Sequence, residues 1–265
     1  MARNPLRRLQ RRTFGTGGVR TRVHVLTSVG ADVGNRAPTF VLLHGLGVSS
    51  RYFVPLAERL ARHGSVVIFD LPGFGGLPRP RRALTIRQFA GIVAVVLGQL
   101  EVRRPVLVGH SMGTQIVVEA LAAEPGLSAA AVLVGPVVNA EERRLTRLAL
   151  RFAQSSVHER PRDAAVSVRE YLVSGLTWPN LLLPTMLEYP IEERIGEVTA
   201  ALCLMAGEHD ATAPEAWLRR LAEAAGRAPS VEVVLVPGAA HQVVVGHADA
   251  VAAAAVAIVG REATR

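Results

Sequence analysis

Residues 105–123 read PVLVGHSMGTQIVVEALAA. The first five are a short continuous apolar run, the pattern of a strand buried on both faces. Residues 111–123 carry apolar side chains at helical spacing. Between them stands Gly109-His110-Ser111-Met112-Gly113, a G-x-S-x-G pentapeptide in the strand-to-helix context that the motif requires. The requirement is steric. A serine at a sharp strand-to-helix turn needs small residues two positions before and two after it, so that strand and helix backbones can approach closely. Such a turn raises the Ser111 hydroxyl at the carboxyl end of the strand. It also sets the Met112 N–H at a helix N-terminus, aimed at developing negative charge. The competing reading is a plain serine N-cap beside unrelated glycines; the strand before it and the helix after it disfavour that.

On both sides of this segment, strand-like and helix-like stretches alternate. Residues 19–28, 39–43, 65–69, 129–135, 200–206 and 231–236 read as strands; 52–62, 85–100, 214–226 and 243–259 read as helices. Alternation of this kind predicts an α/β fold, a mostly parallel central sheet flanked by helices. Residues 138–197 interrupt it with charged, amphipathic helical stretches, expected to form a helical lid inserted between core segments 1–137 and 198–265. No repeat or low-complexity linker breaks the chain.

Further groups come off strand ends on the same edge as Ser111. His44-Gly45-Leu46-Gly47 follows strand 39–43, and the Leu46 N–H is the expected second oxyanion donor beside that of Met112. A hydroxyl nucleophile needs a base within reach. His241 follows strand 231–236, and Asp210 follows strand 200–206 within Gly207-Glu208-His209-Asp210, giving the order Ser, Asp, His. Asp210 would hold the imidazole in one tautomer. Its alternative role is capping helix 214–226. His247 is the rival base, His209 is expected to face solvent, and Glu141 or Glu142, after strand 129–135, is the rival acid. Gly45-x-Gly47 with Asp70 imitates a dinucleotide fingerprint, but Ser50 stands where the third glycine should be. No metal-ligand spacing occurs, and no cofactor is expected.

The chain has 265 residues, 49% of them hydrophobic, enough for one large domain with an insertion. Its one cysteine, Cys203, excludes an internal disulfide and fits a reducing, cytoplasmic setting. The formal charge is +8, with arginine as the only basic residue besides histidine. Arg3, Arg7, Arg8, Arg11, Arg12, Arg20 and Arg22 all precede the first acidic residue, Asp32, so the excess belongs to the N-terminus. Residues 1–18 are expected to form a flexible, solvated basic arm. No basic face rich in aromatics accompanies it, which argues against nucleic-acid binding. No apolar h-region follows the first arginines, and Val251–Val259 is too short to span a bilayer, so stable membrane insertion is not expected.

With these residues placed, the chain resembles the α/β-hydrolase family over nearly its whole length. The marks are Val41-Leu42-Leu43-His44-Gly45, Asp70-Leu71-Pro72-Gly73-Phe74-Gly75, Gly109-His110-Ser111-Met112-Gly113, Gly207 to Asp210, and His241. Gly76-Leu77-Pro78-Arg79-Pro80 departs from the small polar residue that relatives often carry there. The resemblance implies a serine hydrolase acting on a small-molecule ester or related acyl bond. Ser111 excludes the dehalogenase and epoxide-hydrolase branches, which resemblance would give an aspartate at that position. Tyr171, Trp178 and Met186 of the expected lid are candidate substrate contacts, implying an apolar acyl or alcohol pocket. A carbon–carbon hydrolase of a dienoic keto acid would want an arginine there, with Arg151, Arg160 and Arg169 as candidates. A non-catalytic ligand receptor on the same fold is the third reading.

Overall fold

The computed structural model describes residues 9–27, 37–175 and 177–263. Eight strands form one sheet: β1 (Leu9–Thr16), β2 (Val19–Leu26), β3 (Thr39–Leu43), β4 (Ser65–Asp70), β5 (Pro105–His110), β6 (Ala130–Val134), β7 (Ala201–Gly207) and β8 (Val231–Val236). Their order is β1-β2-β4-β3-β5-β6-β7-β8. The first two pairings are antiparallel and the rest parallel.

The strands alternate between two cores, as period-2 side chains must. Val41, Leu43, Leu107, Leu133, Leu202 and Leu204 face one core. There they meet α2 (Ile86–Gln99) and α3 (Met112–Ala123), together with α8 (Glu215–Ala224). Phe40, Leu42, Val106, Val132, Cys203 and Met205 face the other, against α1 (Val54–Leu60) and α10 (Ala248–Ala263). Thr85 caps α2: its hydroxyl accepts from the Gln88 N–H at 3.1 Å, and the Gln88 side chain returns a bond to the Thr85 N–H at 2.9 Å.

Between β6 and β7 run α4 (Leu145–Ser156), α5 (Pro161–Ser174), α6 (Thr177–Glu188) and the short α7 (Ile191–Arg194). They are fixed to the sheet domain by buried polar contacts. Glu119 on α3 accepts from Tyr189 at 2.9 Å and from Arg194 at 2.9 Å. Gln115 donates to the Met186 carbonyl at 2.8 Å, and the Ser49 hydroxyl donates to buried Glu170.

Two expectations need correction. Leu9–Thr16, read as part of a flexible arm, forms β1 and pairs with β2 along its whole length. Phe14 packs on the core, and the Gly17–Gly18 turn has positive φ at both residues, the conformation of a tight hairpin. Arg3, Arg7 and Arg8 lie outside the described residues. The last helix is broken: α9 (Val243–Gly246) ends at His247, whose φ of −128° is not helical, before α10 begins. Among the described residues, no helix is long and apolar enough to cross a membrane.

Candidate active site

Ser111 occupies the turn between β5 and α3 with φ 54° and ψ −122°, a left-handed conformation that a non-glycine residue adopts only under constraint. The constraint is visible on both sides. The Ser111 N–H donates to the Val134 carbonyl at 3.0 Å, and the Thr114 hydroxyl donates to the Ser111 carbonyl at 2.6 Å. A Cβ on Gly109 would lie 2.5 Å from the Gly113 carbonyl oxygen, and one on Gly113 would overlap the Leu43 carbonyl. The two glycines therefore allow the backbone approach that the pentapeptide implies.

Asp210 and His241 stand together. The His241 Nδ1–H donates to Asp210 Oδ2 at 2.8 Å, with Thr212 Oγ1 2.9 Å from the same nitrogen. Thr212 donates its hydroxyl to Asp210 Oδ1 at 2.6 Å, and its N–H reaches that oxygen at 2.9 Å. Burial by itself would raise the Asp210 pKa. The His241 charge and the bonds from His241 and Thr212 outweigh it and hold the carboxyl below its ordinary range. Burial likewise disfavours charging His241, yet the Asp210 carboxylate prevails and raises the imidazole above its usual 6.5. With Nδ1 committed to the carboxylate, Nε2 is the nitrogen left to exchange a proton.

Ser111 and His241 line one cavity of about 360 Å³. Leu46, Phe152, Tyr171, Leu183 and Met186 contribute to its largely apolar wall, and no Asp, Glu or Arg of the described residues lines it. Phe152 meets His241 edge-on, ring centroids 5.7 Å apart, and Tyr171 meets Phe152 in the same way at 6.3 Å. Burial pushes the Tyr171 hydroxyl up to about 12, so it stays protonated. Leu46 follows β3 beside Ser111, and Met112 opens α3, where first-turn N–H groups have no acceptor within the helix.

A second network holds the loops that carry these groups. His110 Nε2 lies 2.9 Å from the His241 carbonyl oxygen, which can only accept, so Nε2 carries the hydrogen. His110 Nδ1 then accepts from the Tyr52 hydroxyl at 3.0 Å, and Tyr52 accepts from the Gly45 N–H at 3.2 Å. Burial first, then the neighbouring His241 charge, lower the His110 pKa to about 3, so the ring is neutral. His44 is likewise fixed, Nδ1 donating to the Gly45 carbonyl at 2.8 Å and Nε2 accepting from the Leu71 N–H at 3.0 Å.

The remaining candidates sort by their partners. Trp178, expected at the substrate, is instead an anchor. It is buried, its indole N–H donates to the Pro72 carbonyl at 3.2 Å, and its ring meets Phe74. A buried indole needs an acceptor, and the loop after β4 supplies one. Glu141 pairs with Arg220 and Glu142 with Arg151, so neither serves His241. His247 contacts Arg160 at 3.3 Å, and exposed His209 stacks on His158 at 4.5 Å. Asp70 is spent on the Ser50 N–H at 2.8 Å and on His24 at 2.9 Å, leaving it no role towards a ribose. Sequence reasoning missed Thr212, Tyr52, His110 and Glu159, which accepts from the Gln242 N–H at 2.7 Å. Thr212 had a signal in the Asp-x-Thr spacing of a side-chain-closed turn. Tyr52 had none.

Similarity to known proteins agrees with this architecture. The chain is 27% identical over 251 residues to the pimeloyl-[acyl-carrier protein] methyl ester esterase of Xanthomonas campestris pv. campestris (strain B100), covering 84% of this chain and 95% of that one. It is 36% identical over 112 residues to a protein named as a non-heme haloperoxidase in Mycobacterium phage D29; that match takes in 42% of this chain and only 40% of the phage protein. In fold it is similar to a thermophilic esterase from Thermogutta terrifontis, with a TM-score of 0.71, 19% identity, and coverage of 92% of this chain and 96% of that one. The model of the alpha/beta hydrolase family matches residues 40–254, most of the chain, and the chain belongs to that family.

Proposed function

We propose that the protein is a serine hydrolase that cleaves a carboxylic ester, or a related acyl bond, of a small to medium apolar substrate. The observation that carries this reading is the cavity shared by Ser111 and His241, with His241 bonded to buried Asp210 behind it. His241 Nε2 takes the hydroxyl proton as Ser111 Oγ attacks the carbonyl carbon. The N–H groups of Leu46 and Met112 hold the oxyanion. The imidazolium, stabilised by Asp210, gives its proton to the leaving alcohol, and an acyl-Ser111 ester remains. Water, deprotonated by His241, attacks that ester; the acid departs and Ser111 recovers its proton.

The helices between β6 and β7 act as a lid, with Tyr171 and Met186 touching substrate. Ester chemistry is the activity named for the Xanthomonas relative, and the apolar wall suits an acyl chain. The carbon–carbon reading is disfavoured. Arg151 is bound to Glu142, Arg160 contacts His247 and Arg169 is exposed, so no arginine of the described residues offers a substrate carboxylate a partner in the cavity.

The test is covalent labelling by a fluorophosphonate alongside turnover of a p-nitrophenyl ester series of increasing acyl length. The wild type should be labelled and should turn over the series, while Ser111→Ala should take no label and lose activity by a factor on the order of 10⁶. A wild type that resists labelling would move the assignment to a non-catalytic ligand receptor. Labelling without turnover of any chain length would exclude ester hydrolysis.

A further inference from the structure

Charge and apolarity are distributed unusually over the helices between β6 and β7. Nine large hydrophobic side chains are exposed among the described residues, and eight of them lie between Leu145 and Leu181. α5 is the clearest case. Its outward stripe is Arg162, Val166, Arg169, Leu172 and Val173, positions that share one helical face. Leu172 is 78% exposed, Val173 52%, and Val168, beside the stripe, 56%.

The side of α5 packed on the domain carries the acids. Glu170 is buried against Ser49, with Arg51 3.9 Å away, and Asp163 lies against Gly246. Glu159, just before the helix, is bonded to the Gln242 N–H. These are the three acidic residues between 145 and 175, and none is exposed. Arg147, Arg160, Arg162 and Arg169 of the same stretch are exposed. A helix packed on a domain ordinarily turns charges of both signs outward and valine and leucine inward. Here the outer face is arginine with branched aliphatics and the acids are withdrawn.

We infer that this outer face binds peripherally to an anionic lipid surface. Aliphatic side chains flanked by arginine, without acids, are what an interfacial helix needs: the aliphatics enter the headgroup boundary and the guanidinium groups meet lipid phosphates. Leu145 on the neighbouring α4 is 53% exposed and also lines the cavity that holds Ser111. The binding itself does not depend on the chemistry proposed for Ser111.

The test is flotation of the full chain with vesicles of phosphatidylcholine alone and of phosphatidylcholine with about one third phosphatidylserine. Binding is expected to the phosphatidylserine vesicles only, and to fall steeply with salt. Each arginine near such a surface contributes about fivefold, so Arg162→Glu with Arg169→Glu should weaken binding about 25-fold or more. Val168→Ser with Leu172→Ser should weaken it without changing the charge. Circular dichroism and turnover of a water-soluble ester report whether each variant is folded. Should either misfold, hydrogen exchange of the wild type replaces it, with protection expected in peptides of 161–174 when vesicles are added. Equal binding to both vesicle types, unaltered binding by folded variants, or protection confined to other segments would overturn the inference. So would a wild-type dimer that Leu172→Ser dissociates, which would make this face a contact between copies.

Discussion

The His110 ring donates to the carbonyl oxygen of His241 at 2.9 Å, tying the residue before Ser111 to the backbone of the candidate base. The same ring accepts from Tyr52, which in turn accepts from the Gly45 N–H next to Leu46. Three loops, each bearing part of the proposed machinery, are thus joined through one neutral imidazole. Its pKa near 3 keeps it neutral throughout the working range, so the linkage does not come and go with pH.

Tyr52→Phe should therefore act on placement. It leaves a buried N–H on Gly45 and a buried Nδ1 on His110 without partners, at a cost of about 1–3 kcal/mol each, visible in chemical denaturation. Turnover should fall by up to about a hundredfold with little change in KM, because small displacements of reacting groups are costly. A variant that lost stability but kept its turnover number would limit the network to a folding role.

The pH dependence follows from His241. Its pKa is raised above 6.5, and it must be neutral to accept the Ser111 proton. The acid limb of kcat/KM should rise with pH, with its midpoint above 6.5. Asp210→Asn removes the charge that raises it while burial still lowers it, so the midpoint should move below 6.5. Activity should drop by about 10⁴, since the asparagine amide favours the wrong tautomer. A limb that stayed in place in this variant would mean that another group titrates. Glu159 also raises His241 through its charge, so Glu159→Gln should shift the limb the same way by less.

Gly135 holds φ 57° at the end of β6, and a Cβ there would lie 3.0 Å from His241 Cε1 and 3.1 Å from Asp210 Oδ2. Gly135→Ala should destabilise by about 1–2 kcal/mol through backbone strain alone. It should also displace the imidazole, so turnover should fall by more than the folded fraction does in parallel thermal melts.

Phe152 lines the cavity and meets His241 edge-on. Phe152→Ala should enlarge the space and move the preferred p-nitrophenyl ester towards longer acyl chains, at a stability cost below the about 3–5 kcal/mol of a fully buried phenylalanine, because Phe152 is half-buried. An unchanged chain-length profile would place the acyl group elsewhere.

Gly109 and Gly113 announced the turn at Ser111 because backbone crowding there tolerates no Cβ, a constraint readable in five consecutive letters. The strands between Thr39 and Gly207 were legible for a related reason: a strand buried on both faces is a nearly continuous apolar run. Leu9–Thr16 was not, because its arginines suit an exposed edge strand as well as a coil, and only pairing with β2 distinguishes them.

Local sequence thus determined the buried strands and most of the helices, and that Ser111, Asp210 and His241 follow strands whose carboxyl ends share one edge of the sheet. Tertiary structure alone decided which polar group answers which. It gave Asp210 rather than Glu142 to His241, sent the Trp178 indole to Pro72, and joined Tyr52 to His110 and His110 to His241 across 58 and 131 residues of chain. The physical reason is that strand and helix periods are written in neighbouring residues. The partner of a buried donor is fixed only when packing removes water and leaves one acceptor within reach.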